Sequence, residues 1–235
     1  MAAVHDVEKG GVEATTPSQA LNRGRNGGVN NYAAPVSRIG NPGTLGLFSF
    51  ASTTLILSLY NLQTRSITHA NVVVGMAIFC GGLAQLLAGM WEFPRGNVFG
   101  ATAFTSYGAF WMSYATILIP GSGVLAAFPT EADAPELHSA LGIYLITWFM
   151  VTFFLLIAAL RKNIAFITLF AFLAITFILL AAGEFTASAG ATKAGGALGA
   201  ITAMVAYYIG LSELLATEEM PIVRLPLGVF NRRLD

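Results

Sequence analysis

The chain has 235 residues, 55% of them hydrophobic and only 10% charged, with a mean hydropathy of +0.68. A soluble domain is ordinarily about 25% charged and about 45–50% apolar, so this composition is that of a membrane protein. Twelve Lys/Arg balance twelve Asp/Glu, which removes a nucleic-acid or polybasic surface binder; the lone Cys80 and the dispersed His5, His69 and His138 exclude a disulfide, a thiolate zinc cluster and a metal centre.

Residues 1–40 are mostly Gly, Asn, Ser, Thr and Ala with scattered charges, and they lack the apolar core of a signal peptide. A segment this polar cannot bury enough surface to fold alone, so it reads as a disordered cytosolic tail. From there on the charges vanish in long runs. Residues 39–64, 70–91, 96–130, 139–160, 163–183 and 194–212 contain no Asp, Glu, Lys, Arg or His. A helix needs roughly 20 apolar residues to cross the hydrocarbon core. Six transmembrane helices are therefore expected, at about 44–62, 70–91, 98–119, 139–160, 163–182 and 195–215. The runs are continuously apolar rather than alternating, which favours helices over a barrel. One all-α transport domain over 41–217 results, followed by a cytosolic C-terminal tail, 218–235.

The basic residues orient it. With the N-terminus inside, Lys9, Arg23, Arg25, Arg38, Arg95, Arg161, Lys162, Arg224, Arg232 and Arg233 are cytosolic, and only Arg65 and Lys193 are outside. Such a bias puts both termini in the cytosol. The loop with Glu131, Asp133, Glu136 and His138 is acidic, as suits an outer face.

Asn41-Pro42 opens the first span as a helix cap followed by a favoured first helical residue. A helix N-terminus also offers unpaired N–H groups to an anion. Within that span, Ser49, Ser52, Thr53 and Tyr60 form one hydroxyl stripe and Thr54, Ser58 and Asn61 a second, with Phe50 between them. Span 3 carries Thr102, Thr105, Ser106, Ser113 and Thr116 on one face and Tyr107 and Tyr114 on a neighbouring one. The pattern fits helix packing and equally a pore wall with an aromatic gate. Gln85 is the amide well inside span 2 and needs a partner: another helix, water or substrate. Gly75, Gly81, Gly82, Ala84 and Ala88 in span 2, and Gly195, Gly199 and Ala203 in span 6, read as packing seams. Glu92 and Arg95 suit an interfacial ion pair or an ion entrance, and Glu213 a side chain that snorkels to the interface. Composition and spacing thus give hydroxyl-lined helices without a charged centre or a cofactor site. No nucleophile–base pair is visible, so an enzyme is not expected.

The stretch N-P-G-T-L-G-L-F-S-F-A-S-T-T from Asn41 resembles the NPAPLGL-type signature of the acetate uptake transporter family, the succinate–acetate permeases and their fungal relatives. Residues 75–115 resemble that family's spans 2 and 3 throughout, and Gly43-Thr44 departs from the signature, which has a small residue and a second proline there. The long leading tail is similar to the fungal branch. The resemblance implies a protomer with its own pore, assembled as a homohexamer in the plasma membrane. It implies transport of acetate and other short monocarboxylates, with succinate secondary, and no cofactor. Carried over by position, it puts a hydrophobic constriction at Phe50, Tyr107 and Leu173 and substrate-binding groups at Asn41, Thr53, Thr54 and Gln85; the possible entrance residues, Glu92 and Arg95, rest on their spacing alone. The competing readings are a non-transporting membrane sensor of organic acids and an exporter of ammonium or acid.

Overall fold

The computed structural model describes residues 39–230. Apart from residues 39 and 40, the expected N-terminal tail lies outside the described residues, as do 231–235. The described chain is helical: α1 (Gly43–Asn61), α2 (Val73–Glu92), α3 (Val98–Leu118), α4 (Ala134–Ala159), α5 (Ile164–Phe185) and α6 (Ala189–Leu215). Five of these, α1, α2, α4, α5 and α6, are long and apolar enough to cross a membrane. Helix α3 has 21 residues of similar length class, diluted by glycine and hydroxyl side chains.

Local chemistry sets the helix starts. Asn41 Oδ1 accepts from Gly43 N at 3.0 Å, Asn97 Oδ1 from Gly100 N at 3.2 Å and Asn163 Oδ1 from Phe166 N at 2.8 Å. Each amide oxygen thereby satisfies an N–H group that the first helical turn leaves without a partner. Helix α4 begins about a turn earlier than the charge pattern predicts. A reciprocal capping box between Thr130 and Asp133 precedes it, and Pro135 sits in its first turn, where a missing N–H is harmless. Helix α6 likewise starts early, at Ala189, because Ser188 Oγ caps Ala191 N.

Helix α2 is not uniform. Residues Phe79–Ala84 form a π-helical stretch between two α-helical ones. Gly81 and Gly82 lie in it, against α1 and α3. A Cβ on Gly81 would stand 2.7 Å from Thr53 Oγ1 and 2.8 Å from Trp111 Cδ1, and one on Gly82 2.6 Å from Met112 Cγ. The wider turn shifts the helical register, so the residues after it present a face that a 3.6-residue period does not predict.

Helix α1 packs along α6, α5 lies between α4 and α6, and α2 rests on α3 and α1. In lipid such packing is driven by close van der Waals contact rather than by the hydrophobic effect, which is why small residues line the contacts. The seams expected from sequence are largely internal to the chain. Gly199 faces Ser58 and Gly195 faces Leu180, whereas nothing lies within 4 Å of a Cβ on Gly75; Gly108, not among the expected seams, faces the backbone of Leu86.

The segment after α6 is not a free tail. Ile164 N and Ala165 N, at the start of α5, donate to Gly228 O at 3.0 Å and Leu227 O at 3.1 Å. Ser212 Oγ donates to Leu225 O at 2.7 Å and the Tyr208 hydroxyl to Pro226 O at 2.8 Å. Residues 225–229 thus form a strap across the end of the bundle where α5 begins.

Candidate functional site

A cavity of about 350 Å³ opens at the end of the bundle where α1, α3 and α5 start and α2 and α6 finish. Its inner wall is aromatic and aliphatic: Leu47 and Phe50 from α1, Phe104 and Tyr107 from α3, Phe166 and Phe170 from α5. Near the helix ends it is polar, with Glu92, Asn97, Lys162, Asn163 and Glu213, and Val229 of the strap completes the wall.

A second, smaller cavity of about 120 Å³ lies toward the other end, lined by Leu57, Phe110, Tyr114, Tyr144, Phe177 and Glu184 among others. The two do not meet. Along α1 the first lining stops at Phe50 and the second resumes at Leu57; along α3 the break falls between Tyr107 and Phe110, and along α5 between Phe170 and Phe177. Phe50 and Tyr107 close the first cavity, with ring centroids 5.5 Å apart, and Tyr107 stacks at 6.5 Å on Phe170. The Tyr107 hydroxyl is held by Thr152 Oγ1 at 2.9 Å, which fixes the ring. Leu173 is buried in the α5 stretch that separates the cavities, in the same apolar cluster as Phe50 and Tyr107.

The polar end is a network. Arg95 Nη1 donates to Asn41 Oδ1 at 2.7 Å and to Glu92 Oε2 at 3.1 Å, and Asn41 Nδ2 donates to Glu213 Oε2 at 3.1 Å. Gly43 makes room for it: a Cβ there would lie 2.8 Å from Glu213 Oε2 and 3.0 Å from Glu92 Oε1. Glu92 is 1% exposed. The Glu92–Arg95 ion pair expected from their spacing is present, and its carboxylate is buried at the helix end, where it persists only because it is paired and hydrogen-bonded. Glu213 is likewise drawn into the cavity instead of snorkelling, because Asn41 offers it a donor there.

Gln85 lines the cavity, is fully buried, and neither atom of its amide has a hydrogen-bond partner. It does not act as glue between helices. Thr54 is buried between the cavities with an unpartnered hydroxyl. Thr53 faces neither cavity; its hydroxyl donates back to Ser49 O at 3.0 Å and packs on Gly81 of the π-helical turn.

The expected hydroxyl lining is absent from the larger cavity, which has no Ser or Thr in its wall. The hydroxyls are used elsewhere: Ser52 bonds Tyr207 at 2.8 Å, Ser113 bonds Tyr144 at 2.7 Å, and Thr116 donates to Met112 O. Thr102 and Thr116 face outward. In a helix short of other donors, a hydroxyl that reaches its own carbonyl four residues back is spent there.

Asn97, Lys162 and Asn163 line the cavity and were not among the site residues expected from sequence, and Glu213, which also lines it, was read only as a snorkelling side chain. A signal for two of them exists: α1, α3 and α5 each open on an asparagine, all at the same end of the bundle.

A model of the GPR1/FUN34/yaaH family matches residues 26–229. Accumulation of dyads protein 2 of Saccharomyces cerevisiae is 47% identical over 175 residues, covering 74% of this chain, and the chain spans only 61% of that relative. Acetate permease A of Emericella nidulans is 40% identical over 207 residues, covering 83% of this chain and 70% of its own length. Among solved structures, the bacterial acetate channel SatP superposes with a TM-score of 0.69 at 32% identity, over 80% of this chain and 100% of that one.

Proposed function

This chain belongs to the GPR1/FUN34/yaaH family, and from that premise we propose that it carries acetate and other short monocarboxylates across a membrane, with succinate as a secondary substrate. The observation that carries the reading is the pair of cavities on one axis, interrupted at Phe50 and Tyr107. An open pathway through these helices has to pass that neck. Phe50, Tyr107 and Leu173 form the constriction in this reading, and a narrow apolar ring gates by losing its water. Thr54 and Gln85 supply uncommitted donors at the neck, Asn41 holds the network behind it, and Glu92 with Arg95 shapes the entrance. Thr53 serves as packing against α2.

Helix α3, at about 32 Å for 21 residues, acts as a sixth span beside the five that meet length and composition. An even number of spans returns both ends to one side, and the basic residues make that side the cytosol. The membrane is the plasma membrane. The assembly is a homohexamer of independent pores; large exposed apolar side chains such as Phe79, Trp91 and Phe154 are available to lipid and to neighbouring protomers. The function is transport rather than catalysis. Labelled acetate uptake by the purified protein in liposomes, with and without an imposed pH gradient, tests the whole reading. Uptake above empty liposomes, saturable and competed by propionate, is the expected result. Liposomes that stay impermeable under both conditions would overturn it.

A further inference from the structure

The smaller cavity does not end blind. At the end of the bundle away from Asn41 it adjoins a polar pocket of about 300 Å³, and Asn61, Glu184 and Thr192 line both. In the topology proposed above this is the outer face, so the pocket is where the pathway meets the outside. Gln63, His138 and Ser188 also stand in its wall.

The end of α5 sets Glu184 there. The helix closes in a left-handed turn at Ala187 (φ 49°), with Ala187 N donating to Glu184 O at 3.2 Å and Ser188 N to Gly183 O at 2.9 Å. Ser188 then caps α6, and Gly183 lets α6 stand close, since a Cβ there would collide with Thr192. Gln63 is left-handed as well, at φ 56°. Side chains other than glycine are held in that region at a cost, and such positions gather at functional sites.

His138 Nδ1 lies 2.7 Å from Glu184 Oε2. An imidazole can donate from Nδ1 whether it is neutral or protonated, so the contact holds in both states. Only the charge of the pair changes, from one negative charge to none. Histidine is the side chain whose charge ordinarily changes between about pH 5 and 8. The other titratable groups in the two walls are Tyr114 of α3 and Tyr144 of α4, and phenols stay neutral there. From α1 and α6 the walls take Asn61, Ser188 and Thr192, which carry no charge. Lys193 follows Thr192 and Glu136 precedes His138 in sequence, but among the described residues no lysine or arginine lines either space.

We propose that His138 and Glu184 form a charge gate at the outer mouth. With His138 neutral, the Glu184 carboxylate repels an entering anion; protonation of His138 cancels the repulsion. The gate rests on the transport reading above and adds to it a pair through which external pH sets anion access. It acts on arrival at the mouth and not on passage of the neck, so it is read in KM. His138 and Glu184 keep 45% and 26% of their side chains exposed, so the interaction is that of charges in water, where a unit charge at contact distance changes an anion's local concentration about fivefold.

Initial rates of labelled acetate uptake from outside, at about pH 5.5 and about pH 8, test it in cells expressing each variant at equal surface level, with unfolding midpoints of the purified proteins alongside. Glu184→Gln removes the charge and keeps an acceptor for His138; its KM near the higher pH should fall about fivefold below wild type. His138→Lys holds a positive charge across the range and should lower KM there in the same way. His138→Gln keeps a donor without the charge, and its KM near the lower pH should rise about fivefold. Comparing variants at one pH cancels any dependence they share, such as that of a proton moving with the substrate. Should one variant misfold, the other two decide. A single KM profile common to wild type and the folded variants would overturn the gate and leave the transport reading standing. Loss of kcat at both pH values in Glu184→Gln, with KM unchanged, would also overturn it, because the carboxylate would then carry a proton itself. A wild-type protein that takes up no acetate would overturn both.

Discussion

Gln85 gives the sharpest test, because stability and function should move in opposite directions there. The side chain is fully buried, lines the same cavity as Phe50 and Tyr107, and neither amide atom has a hydrogen-bond partner among the described residues. Gln85→Met keeps volume and helix propensity nearly constant, so the backbone contribution is small. It removes a donor and an acceptor whose burial without a partner costs about 1–3 kcal/mol. Water in the cavity returns part of that cost, so a net gain of about 1 kcal/mol is expected, raising the unfolding midpoint by about 2–4 °C. The same change deletes a hydrogen bond to a passing carboxylate, worth about 1.5–3 kcal/mol and so roughly tenfold or more in kcat/KM for acetate. Thermal unfolding in mild detergent and labelled uptake in liposomes, on one preparation, read both quantities. A destabilised variant would show that the amide has a structural partner; a stabilised variant with wild-type uptake would show that substrate does not use it.

Three further outcomes follow from the same geometry. Phe50→Ala removes one ring of the 5.5 Å pair, so it should raise succinate uptake relative to acetate at equal expression, while costing about 3–5 kcal/mol of packing; an unchanged ratio puts the constriction elsewhere. Arg95→Gln should destabilise more than Glu92→Gln, because it strands a carboxylate that is 1% exposed, whereas Arg95 keeps 25% of its side chain exposed; the cost lies at the low end of about 3–5 kcal/mol, and equal midpoints for the two variants contradict the pairing. Gly108→Ala should prevent stable folding, since its Cβ would stand 2.7–2.8 Å from the Leu86 backbone and Cβ, while Gly75→Ala, which meets nothing within 4 Å, should keep the midpoint or raise it; cross-checking both by size-exclusion chromatography shows whether Gly75 lies in a seam between protomers, where the larger side chain would reduce the oligomer.

Five helices long and apolar enough to cross a membrane were legible, because charge-free runs of membrane length are a property of composition and lipid leaves the backbone few alternatives to a helix. Phe50 and Tyr107 were partly legible, as aromatics beside hydroxyl stripes, and Leu173 only through resemblance. What was not legible was orientation. The hydroxyl face of α3 fitted packing and a pore wall equally; Ser113 and Thr116 bond to Tyr144 and to the Met112 carbonyl, and the cavity takes the apolar face with Phe99, Ala103 and Tyr107. Periodicity says which residues share a face and not which way the face looks. The ion pair of Glu92 with Arg95 was legible from their spacing, whereas the burial of Glu92 and of Gln85 was not: both follow the π-helical turn Phe79–Ala84, whose added register a regular helical period does not carry. Glu213 and Lys162 were assigned to the surface by proximity to helix ends, because no sequence pattern reports a cavity that opens between such ends.

In the proposed pathway, the distribution of polar groups along the axis accounts for how an anion is admitted while the neck stays shut. Full charges stand away from the neck: Glu92, Arg95, Lys162 and Glu213 lie within a turn or two of a helix end at the mouth, and Glu184 lines the second cavity near the end of α5. At the neck there is none. A carboxylate entering a dry ring of Phe50, Tyr107 and Leu173 would lose several kcal/mol of solvation, more than the neutral donors of Gln85 and Thr54 return at about 1.5–3 kcal/mol each for a charged acceptor. The closed ring is therefore a barrier by chemistry as well as by size. Passage requires the ring to open enough for water to follow the anion, or a proton to travel with it and cancel the charge. In both cases neutral donors at the neck are the better choice. A lysine there would hold the carboxylate against release, whereas an amide and a hydroxyl lower the barrier without creating a trap.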